Sequence, residues 1–472
     1  MGVKQVAMTN GFRLGLDWSN PPENIDVQAL TQARQCEFDR TDNALCTVPG
    51  VRIMYDFGQP VETLYYDVYR NKWYFSSGRN LYETDFSTHK LLGTLNGTNE
   101  PKYHAFGGDI LIASGDKLQA VSGAGKLFTI ESPVCDIVSS HSGRVLIAST
   151  NSHRLNWSAV GDYNAWNHNN NDASSAQYVD VGYKDQGSII AVDFLSRAII
   201  VYKEYGRVYQ VIGTPNGQNL TVYPLSSTGY CSGATISVDD RSYYLGNQGF
   251  MSFMPTNTYA EIQPFESGLN INSYLLKYIT KDCDVWHISS RKQIWIKPYN
   301  GDTVFIYHYL PRYEDGRGVF TSRKFTHNIN DAVNVDKEVY VAYGNKIGIL
   351  DETIDTDDDV QIQTSIVSGN RLATRQFILI MNYNFVTHNL IPGYGTIGIS
   401  NKKPKPIEFA SKAVKTYYAN FKTYDYKALM NVNEYTKAYK IGGGANRNVQ
   451  FKINVQKGAI SLRQLDYTYE EV

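Results

Sequence analysis

The sequence predicts an all-β protein: a β-propeller of about seven blades followed by a smaller C-terminal β domain. Three observations carry that expectation. The chain holds 36 tyrosines and 38 glycines in 472 residues, and few runs favour a helix, a balance that suits strands and tight turns. A strand–turn–strand unit recurs from about Val51 to Leu350, at roughly the 35–55 residue spacing of four-stranded blades. After the acidic run Asp351–Asp359 that unit gives way to longer strands.

In chain order, residues 1–50 read as an irregular polar arm with one short helix over Val27–Phe38, capped by Asp26. Val48-Pro49-Gly50-Val51 reads as a turn opening into a strand. The hairpins follow. Trp73–Gly78 leads to Asn80–Tyr82, Ile110–Gly115 to Lys117–Gln119, and Val145–Thr150 to Arg154–Asn156. Ile199–Lys203 leads to Arg207–Tyr209, Tyr243–Gly246 to Phe250-Met251, Ile294–Tyr299 to Val304–Tyr307, and Val339–Gly344 to Ile347–Ile349. In most units a further strand precedes the hairpin, as at Cys135–Ser139, Ile189–Phe194 and Ala332–Val335. Seven units are counted; the uneven spacing admits six to eight blades, and hairpins stacked in sandwiches give a similar period. Insertions account for the unevenness: the polar stretch Asn167–Ser175, and a helix around Asn272–Ile279 with Leu275, Tyr278 and Ile279 on one face.

The C-terminal part reads as a β-sandwich-like platform. Gln376–Thr387 is apolar on both faces, the mark of a strand covered on both sides. Val449–Val455 alternates, with Val449, Phe451, Ile453 and Val455 inward, and Ala459–Tyr469 makes a last strand. The expected division is therefore a 1–50 arm, a 51–355 propeller and a 356–472 platform.

Composition narrows the function. Formal net charge is −1, so the whole chain offers no electrostatic case for nucleic-acid binding. Cys36, Cys46, Cys135, Cys231 and Cys283 are scattered without a C-x-x-C pair, and read as buried free thiols rather than a disulfide framework or zinc site. No signal peptide or membrane-length apolar run is present in the sequence, so a soluble chain without membrane insertion is expected.

No motif rises to an enzyme signature. Asp355-x-Asp357-x-Asp359 opens like a calcium loop, but Val360 and Ile366 stand where Gly and Glu belong, and the run reads as a solvated linker. Ser122–Lys126 resembles the end of a phosphate loop, but Ala120 and Leu127 break the motif and the flanks are strands, so it reads as a hairpin turn. The nine histidines lack metal-ligand spacing, and no G-x-S-x-G elbow occurs. Asp136, Asp193, Asp239, Asp240, Asp284 and Asp331 lie near strand starts. They read most simply as turn caps, with an axial acid cluster of the kind a propeller glycosidase needs as the other arrangement. The expectation is a non-enzyme with no cofactor and no metal.

Arg154–Trp166 (R-L-N-W-S-A-V-G-D-Y-N-A-W) reads as a strand end and a Gly161-Asp162 turn between two buried indoles, Trp157 and Trp166. This W-S-x-x-G-D-x-x-x-W run (Trp157, Ser158, Gly161, Asp162, Trp166), set between repeated short strands, resembles the tail nozzle proteins of short-tailed bacteriophages. These are also called tail tubular protein B or packaged-DNA stabilisation proteins. The Pro49-Gly50 element after an N-terminal arm is similar too, and the likeness covers roughly residues 45–350. The resemblance implies a structural virion protein, assembled in the host cytoplasm as a homo-hexameric ring. It would sit beneath the portal and its adaptor (the head-to-tail connector), prolong the DNA channel, retain the packaged genome and let it leave at infection. Its partners would be itself, the adaptor, tail plug, needle or fibre proteins, and genomic DNA passing without sequence-specific contact. Both chain ends would meet in the platform that docks the nozzle. The other readings are a glycan-binding or glycan-cleaving propeller of a phage tail, and a cellular protein-interaction propeller.

Residues 401–457 carry twelve Lys or Arg against Glu408, Asp425 and Glu434, a local excess of +9. Lys402, Lys403, Lys405, Lys412, Lys415 and Lys422 are the candidates for contact with an acidic partner or DNA phosphates, the alternative being a solvated face.

Overall fold

The computed structural model describes residues 4–471 apart from 9, 40–43, 170, 186, 196–197, 217–218, 228–230, 256–261, 281, 299–302, 311–312, 370, 388–393, 400–404, 409–416, 419–428, 431–433 and 450. Residues 4–10, 227, 231–232, 371–449 and 463–471 are described as backbone only.

Seven four-stranded antiparallel blades form the propeller. Each of the seven expected hairpins supplies the second and third strands of one blade. Blade 1 runs Thr63–Asp67, Lys72–Ser77, Asn80–Thr84, His89–Thr94, and blade 2 runs Lys102–Phe106, Asp109–Ala113, Asp116–Val121, Leu127–Cys135. Blade 3 is Ile137–His141, Arg144–Ala148, Arg154–Trp157, Gln177–Asp180, and blade 4 is Ile189–Leu195, Ala198–Lys203, Arg207–Ile212, Thr221–Ser227. Blade 5 is Cys231–Val238, Arg241–Gly246, Gly249–Pro255, Ile262–Phe265; blade 6 is Asp284–Ile288, Gln293–Lys297, Thr303–His308, Val319–Lys324. Blade 7 takes three strands in sequence (Ile329–Val335, Glu338–Tyr343, Lys346–Asp351) and its outer strand, Gly50–Asp56, from the other end of the chain. That exchange closes the ring, because a blade completed by a distant strand cannot peel away from the first one without breaking a ladder.

The blades are covered on both faces, so their second strands are apolar at successive positions; Arg144–Ala148 is buried throughout. Between blades 2 and 3, Leu111, Ala113, Leu118 and Ala120 pack on Val138, Val145 and Ile147. Between blades 4 and 5, Ile200 and Tyr202 meet Tyr244, Met251 and Phe253. Each large side chain buried in this way contributes about 1.5–3 kcal/mol.

Blade 6 does not end at its outer strand. Val319–Lys324 continues edge to edge into Ala29–Arg34, then Thr364–Ser368, Phe451–Lys457, Tyr394–Ile399 and Lys405–Glu408. A second sheet joins Cys36–Phe38, Leu45–Thr47, Ile460–Glu471, Arg371–Thr387 and Glu434–Val449, with Lys4–Met8 also pairing with Ile460–Glu471. One apolar core unites Leu30, Phe38 and Leu45 with Phe305 and Phe320 of blade 6 and with Phe451, Ile453 and Leu462.

Three expectations need correction. Val27–Phe38 is not a helix but two strands, Ala29–Arg34 and Cys36–Phe38. The Asp26 carboxylate does accept a main-chain N–H, from Gln28 at 2.7 Å, but as an Asx turn feeding a strand, and the ladder with Thr364–Ser368 overrides local helix preference. The helix at Asn272 is a single turn, Asn272–Leu275, in which Leu275 is buried while Tyr278 is exposed. The acidic run is not a solvated linker: Thr356–Asp357 pairs beside Val51, and Asp357 is buried. Ser122–Lys126 is the hairpin turn expected, closed by Gly125 N–H to the Ser122 carbonyl at 2.8 Å.

Candidate functional site

The W-S-x-x-G-D-x-x-x-W corner lies at the end of the third strand of blade 3. Trp157 is wholly buried among Leu146, Leu155 and Val201, at the joint with blade 4. Ser158 is also buried; its Oγ accepts from Val145 N–H at 3.0 Å and donates to the Ala159 carbonyl at 2.9 Å. Gly161 adopts φ 71° with open space around it, and Asp162 accepts from Asn164 N–H at 2.9 Å, so both serve the turn. Trp166 is half-buried, not buried as expected. It packs towards blade 2, and its indole N–H donates to the Tyr163 carbonyl at 2.8 Å.

Arg144, which the sequence reading missed, holds the base of this insertion. It is 2% exposed, and its guanidinium donates to the carbonyls of Ser158, Ala173 and Ser175. Tyr163 O–H donates to Asp109 of blade 2. The corner thus ties blade 3 to both neighbours. Its described contacts are packing and hydrogen bonds that hold strands and turns together.

The seam between propeller and platform is the second cluster. Glu37, 3% exposed, accepts from Arg291 and from Gln293 Nε2 at 2.9 Å, and Gln293 Oε1 in turn accepts from Trp295 Nε1 at 2.8 Å. Burial disfavours the Glu37 carboxylate, yet the Arg291 cation outweighs it and keeps the group below the usual range. Elsewhere on blade 6, Arg323 donates to Asp357 at 2.8 Å with both side chains inside the protein. Main chain and side chain combine at the seam itself: Gln35 N–H donates to the Ser322 carbonyl at 2.8 Å, and Ser322 Oγ donates to the Ala33 carbonyl at 3.0 Å.

The third site is a cavity of about 580 Å³ at one mouth of the propeller axis. Its wall comes from the start of the inner strands of blades 1 and 7 (Pro60, Glu62, Asn330) and from the approach to blade 6 (Asp282, Asp284) with Lys297 beside it. The blade 1–2 connection Leu95–Glu100 completes it. Glu100 pairs with Lys102 at 2.8 Å and Asp284 with Lys297 at 3.3 Å. Deeper in, Asp331 accepts from Leu64 N–H at 2.8 Å, joining blade 7 to blade 1. Burial pushes its carboxyl up to about 6, against the pull of that N–H and of Lys102 and with a further push from Glu100. Burial likewise raises Asp284, with Lys297 opposing.

The six aspartates singled out from sequence therefore divide. Asp136 takes Thr150 N–H at 2.7 Å and Asn99, while Asp193 takes the hydroxyls of Ser237 and Ser242, both at 2.6 Å; these join consecutive blades. Asp284 and Asp331 converge on the axis. Asp239 is an exposed turn residue with φ 53°, and Asp240 follows it on the surface. The turn-capping account was too local, because these carboxylates act across blade boundaries.

Lys402, Lys403, Lys412, Lys415 and Lys422 lie outside the described residues, and Lys405 is described only as the first residue of a strand. Cys36, Cys46, Cys135 and Cys283 are buried free thiols.

No protein-family model and no curated protein sequence matches the chain. Among solved structures the chain is similar to BamB from Moraxella catarrhalis, with 11% identity over 67% of this chain and 93% of that one and a TM-score of 0.40. It is similar to U3-55K at 10% identity, covering 64% and 99% of the two chains with a TM-score of 0.43. A third is the WD40 β-propeller domain of Doa1, at 13% identity, 64% and 96% coverage and a TM-score of 0.41.

Proposed function

We propose that this chain is a structural assembly protein, the tail nozzle of a short-tailed phage. The observation that carries the reading is the edge-to-edge run of blade 6 into a platform that gathers strands from both chain ends. Such a body would hold propeller and platform in a fixed relation and would offer the platform as a docking surface. The W-S-x-x-G-D-x-x-x-W corner adds the family resemblance, with Trp157 and Arg144 giving it a mechanical role. The work is geometric rather than catalytic. Six copies would surround a lumen beneath the portal adaptor, extend the channel, retain the packaged genome and release it. A net charge of −1 suits a conduit, since a strongly basic wall would grip passing phosphates. Lys402 to Lys422 would face the adaptor or DNA.

The acids at the axial mouth favour one other reading, a glycan-binding or glycan-cleaving propeller. Against it, Glu100 and Asp284 are already ion-paired and no aromatic ring lines the cavity among the described residues.

The test is negative-stain imaging with mass determination, on the protein alone and after mixing with detached portal–adaptor complexes. Sixfold rings with an open centre in either sample are expected. A monodisperse monomer that ignores those complexes overturns the nozzle reading.

A further inference from the structure

We infer that the joint between blades 4 and 5 is closed by a neutral carboxylic acid: folded Asp193 keeps its proton and donates it to Ser237, a latch that loosens as pH rises. The inference is independent of the nozzle reading and begins with a count of hydrogens. Asp193 is buried on the inner strand of blade 4. Across the joint, Ser237 Oγ of blade 5 lies 2.6 Å from Asp193 Oδ1 and 2.6 Å from the Phe194 carbonyl oxygen. Both distances are those of an O–H···O bond, yet a serine hydroxyl has one hydrogen and a carbonyl has none to give. With Asp193 ionised, one of the two contacts would bring lone pairs together with no hydrogen between them. A proton on Oδ1 closes the count: Asp193 donates to Ser237, and Ser237 donates to the Phe194 carbonyl. The other carboxyl oxygen is already served, since Oδ2 accepts from Ser242 Oγ at 2.6 Å and Ser242 Oγ meets the Tyr202 hydroxyl at 2.6 Å. The Phe194 N–H, 2.9 Å from Oδ1, suits either form, because the hydroxyl oxygen of an acid still accepts.

Among the described residues no charged group acts on this carboxyl. Ser237 and Ser242 of blade 5 face it, with Tyr202 of blade 4 behind Ser242 and the Tyr244 phenol packed on the Tyr202 ring at 5.2 Å. From blade 3, His141 stacks on Phe194 at 6.3 Å, and burial turns its imidazole towards the neutral form. Asp239 and Asp240 are exposed in the blade 5 turn, and Arg241 sits over the Phe265 ring. Arg197, two residues beyond Leu195, lies outside the described residues. Burial pushes the Asp193 carboxyl up, against the hydrogen bonds from Ser237, Ser242 and the Phe194 N–H. Asp136, just before the inner strand of blade 3, supplies the contrast. Its partners are the Thr150 N–H at 2.7 Å, the Thr150 hydroxyl at 2.8 Å, the Ser149 hydroxyl at 3.3 Å and the Asn99 amide, each with a hydrogen of its own. That carboxylate needs no proton. Folded Asp193 holds one that the unfolded chain releases in the ordinary aspartate range, so its contribution to stability falls as pH rises through its own raised value. Once the proton leaves, Ser237 serves Oδ1 or the carbonyl but not both.

The experiment is a pH titration of the full chain, isotope-labelled at the aspartate carboxyl carbons and read by NMR. Asp193→Asn assigns the resonance by removing it; should that variant not fold, Ser237→Ala assigns it by displacing it. The expected result is an Asp193 resonance that still stands at its acid-form position after the exposed aspartates have finished titrating. Any influence of Arg197 is contained in that titration, since the parent chain is the protein measured. Melting curves give the second readout. Asp193→Asn, whose amide hydrogens do not titrate away, should melt level with the parent at acid pH and above it at alkaline pH. Asp136→Asn should melt below the parent at neutral pH, because its amide turns N–H groups towards groups that donate. An Asp193 resonance that moves together with the exposed aspartates overturns the inference, and so does an Asp193→Asn melting difference that is the same at every pH.

Discussion

Blades 3 and 4 and the platform seam bury charge in opposite ways. In the blades, the cations Arg144 and Lys203 are inside the protein with carbonyls for partners: Ser158, Ala173 and Ser175 for the one, and Val181 and Gly182 for the other, at 3.1 and 2.9 Å. At the seam, Arg291 meets Glu37 and Arg323 meets Asp357. The carbonyl-held cations pin loops close to them in sequence. Of the carboxylate pairs, Glu37 and Arg291 join segments 254 positions apart, while Arg323 and Asp357 are 34 apart but lie in different sheets. A carbonyl is available in any loop. A buried carboxylate that finds one particular arginine, by contrast, distinguishes the right junction from a slipped one, since a mispaired charge in the interior is costly.

The comparison can be broken in four places. Its largest expected effect involves no charge: Trp157→Ala removes the indole that fills the joint between blades 3 and 4, and should cost about 3–5 kcal/mol. Loss of soluble protein is the expected result; a soluble variant with unchanged melting would contradict that burial. Asp357→Ala should cost about 3 kcal/mol in denaturant unfolding, because it leaves Arg323 buried without its carboxylate, whereas Arg323→Met/Asp357→Leu should recover most of the loss. Lys203→Met is expected to change stability by only about 1 kcal/mol, since losing a buried ammonium offsets the two carbonyls left without a donor. A loss as large as that of Asp357→Ala would erase the distinction between the two regions.

The fourth concerns pH. The Asp331 carboxyl lies at about 6 in the folded protein, above the ordinary value of about 4. The folded state therefore holds more protons than the unfolded one between those values, and this group's contribution to stability falls as pH rises through that window. Melting curves of Asp331→Asn should lack this component, leaving the variant more stable at pH 7 by about 1 kcal/mol and level with the parent near pH 4. A difference independent of pH would place the Asp331 proton elsewhere.

What the sequence reveals follows the range of the interaction. The hairpins were legible because Gly and Asn turns sit between apolar runs of strand length, as at Gly78 between Trp73 and Leu81. The closing strand was not. Gly50–Asp56 looks like any strand, and only the ladder to Lys346–Asp351 makes it part of blade 7. Gly50 is a clue in hindsight: a Cβ there would lie 2.4 Å from the Thr356 carbonyl oxygen. Val27–Phe38 was misread because Asp26 begins an Asx turn and an N-cap with the same residue type. The run Asp351–Asp359 was misread because composition cannot tell a solvated aspartate from one whose partner is Arg323. For the same reason the axial acids were half-seen: their positions near strand starts were visible, their convergence was not.

The claim underlying the rest is that propeller and platform are one body joined through blade 6. Native-state hydrogen exchange of the full chain tests it at the seam, on the amide of Gln35, bonded to Ser322, and of Lys324, whose N–H meets Gln35 Oε1 at 3.2 Å. The account predicts that both are protected to the level of Trp295 and Ile306 in the centre of blade 6. Rapid exchange at Gln35 and Lys324 while those central amides stay protected would mean that the platform swings free of the propeller, and would contradict it.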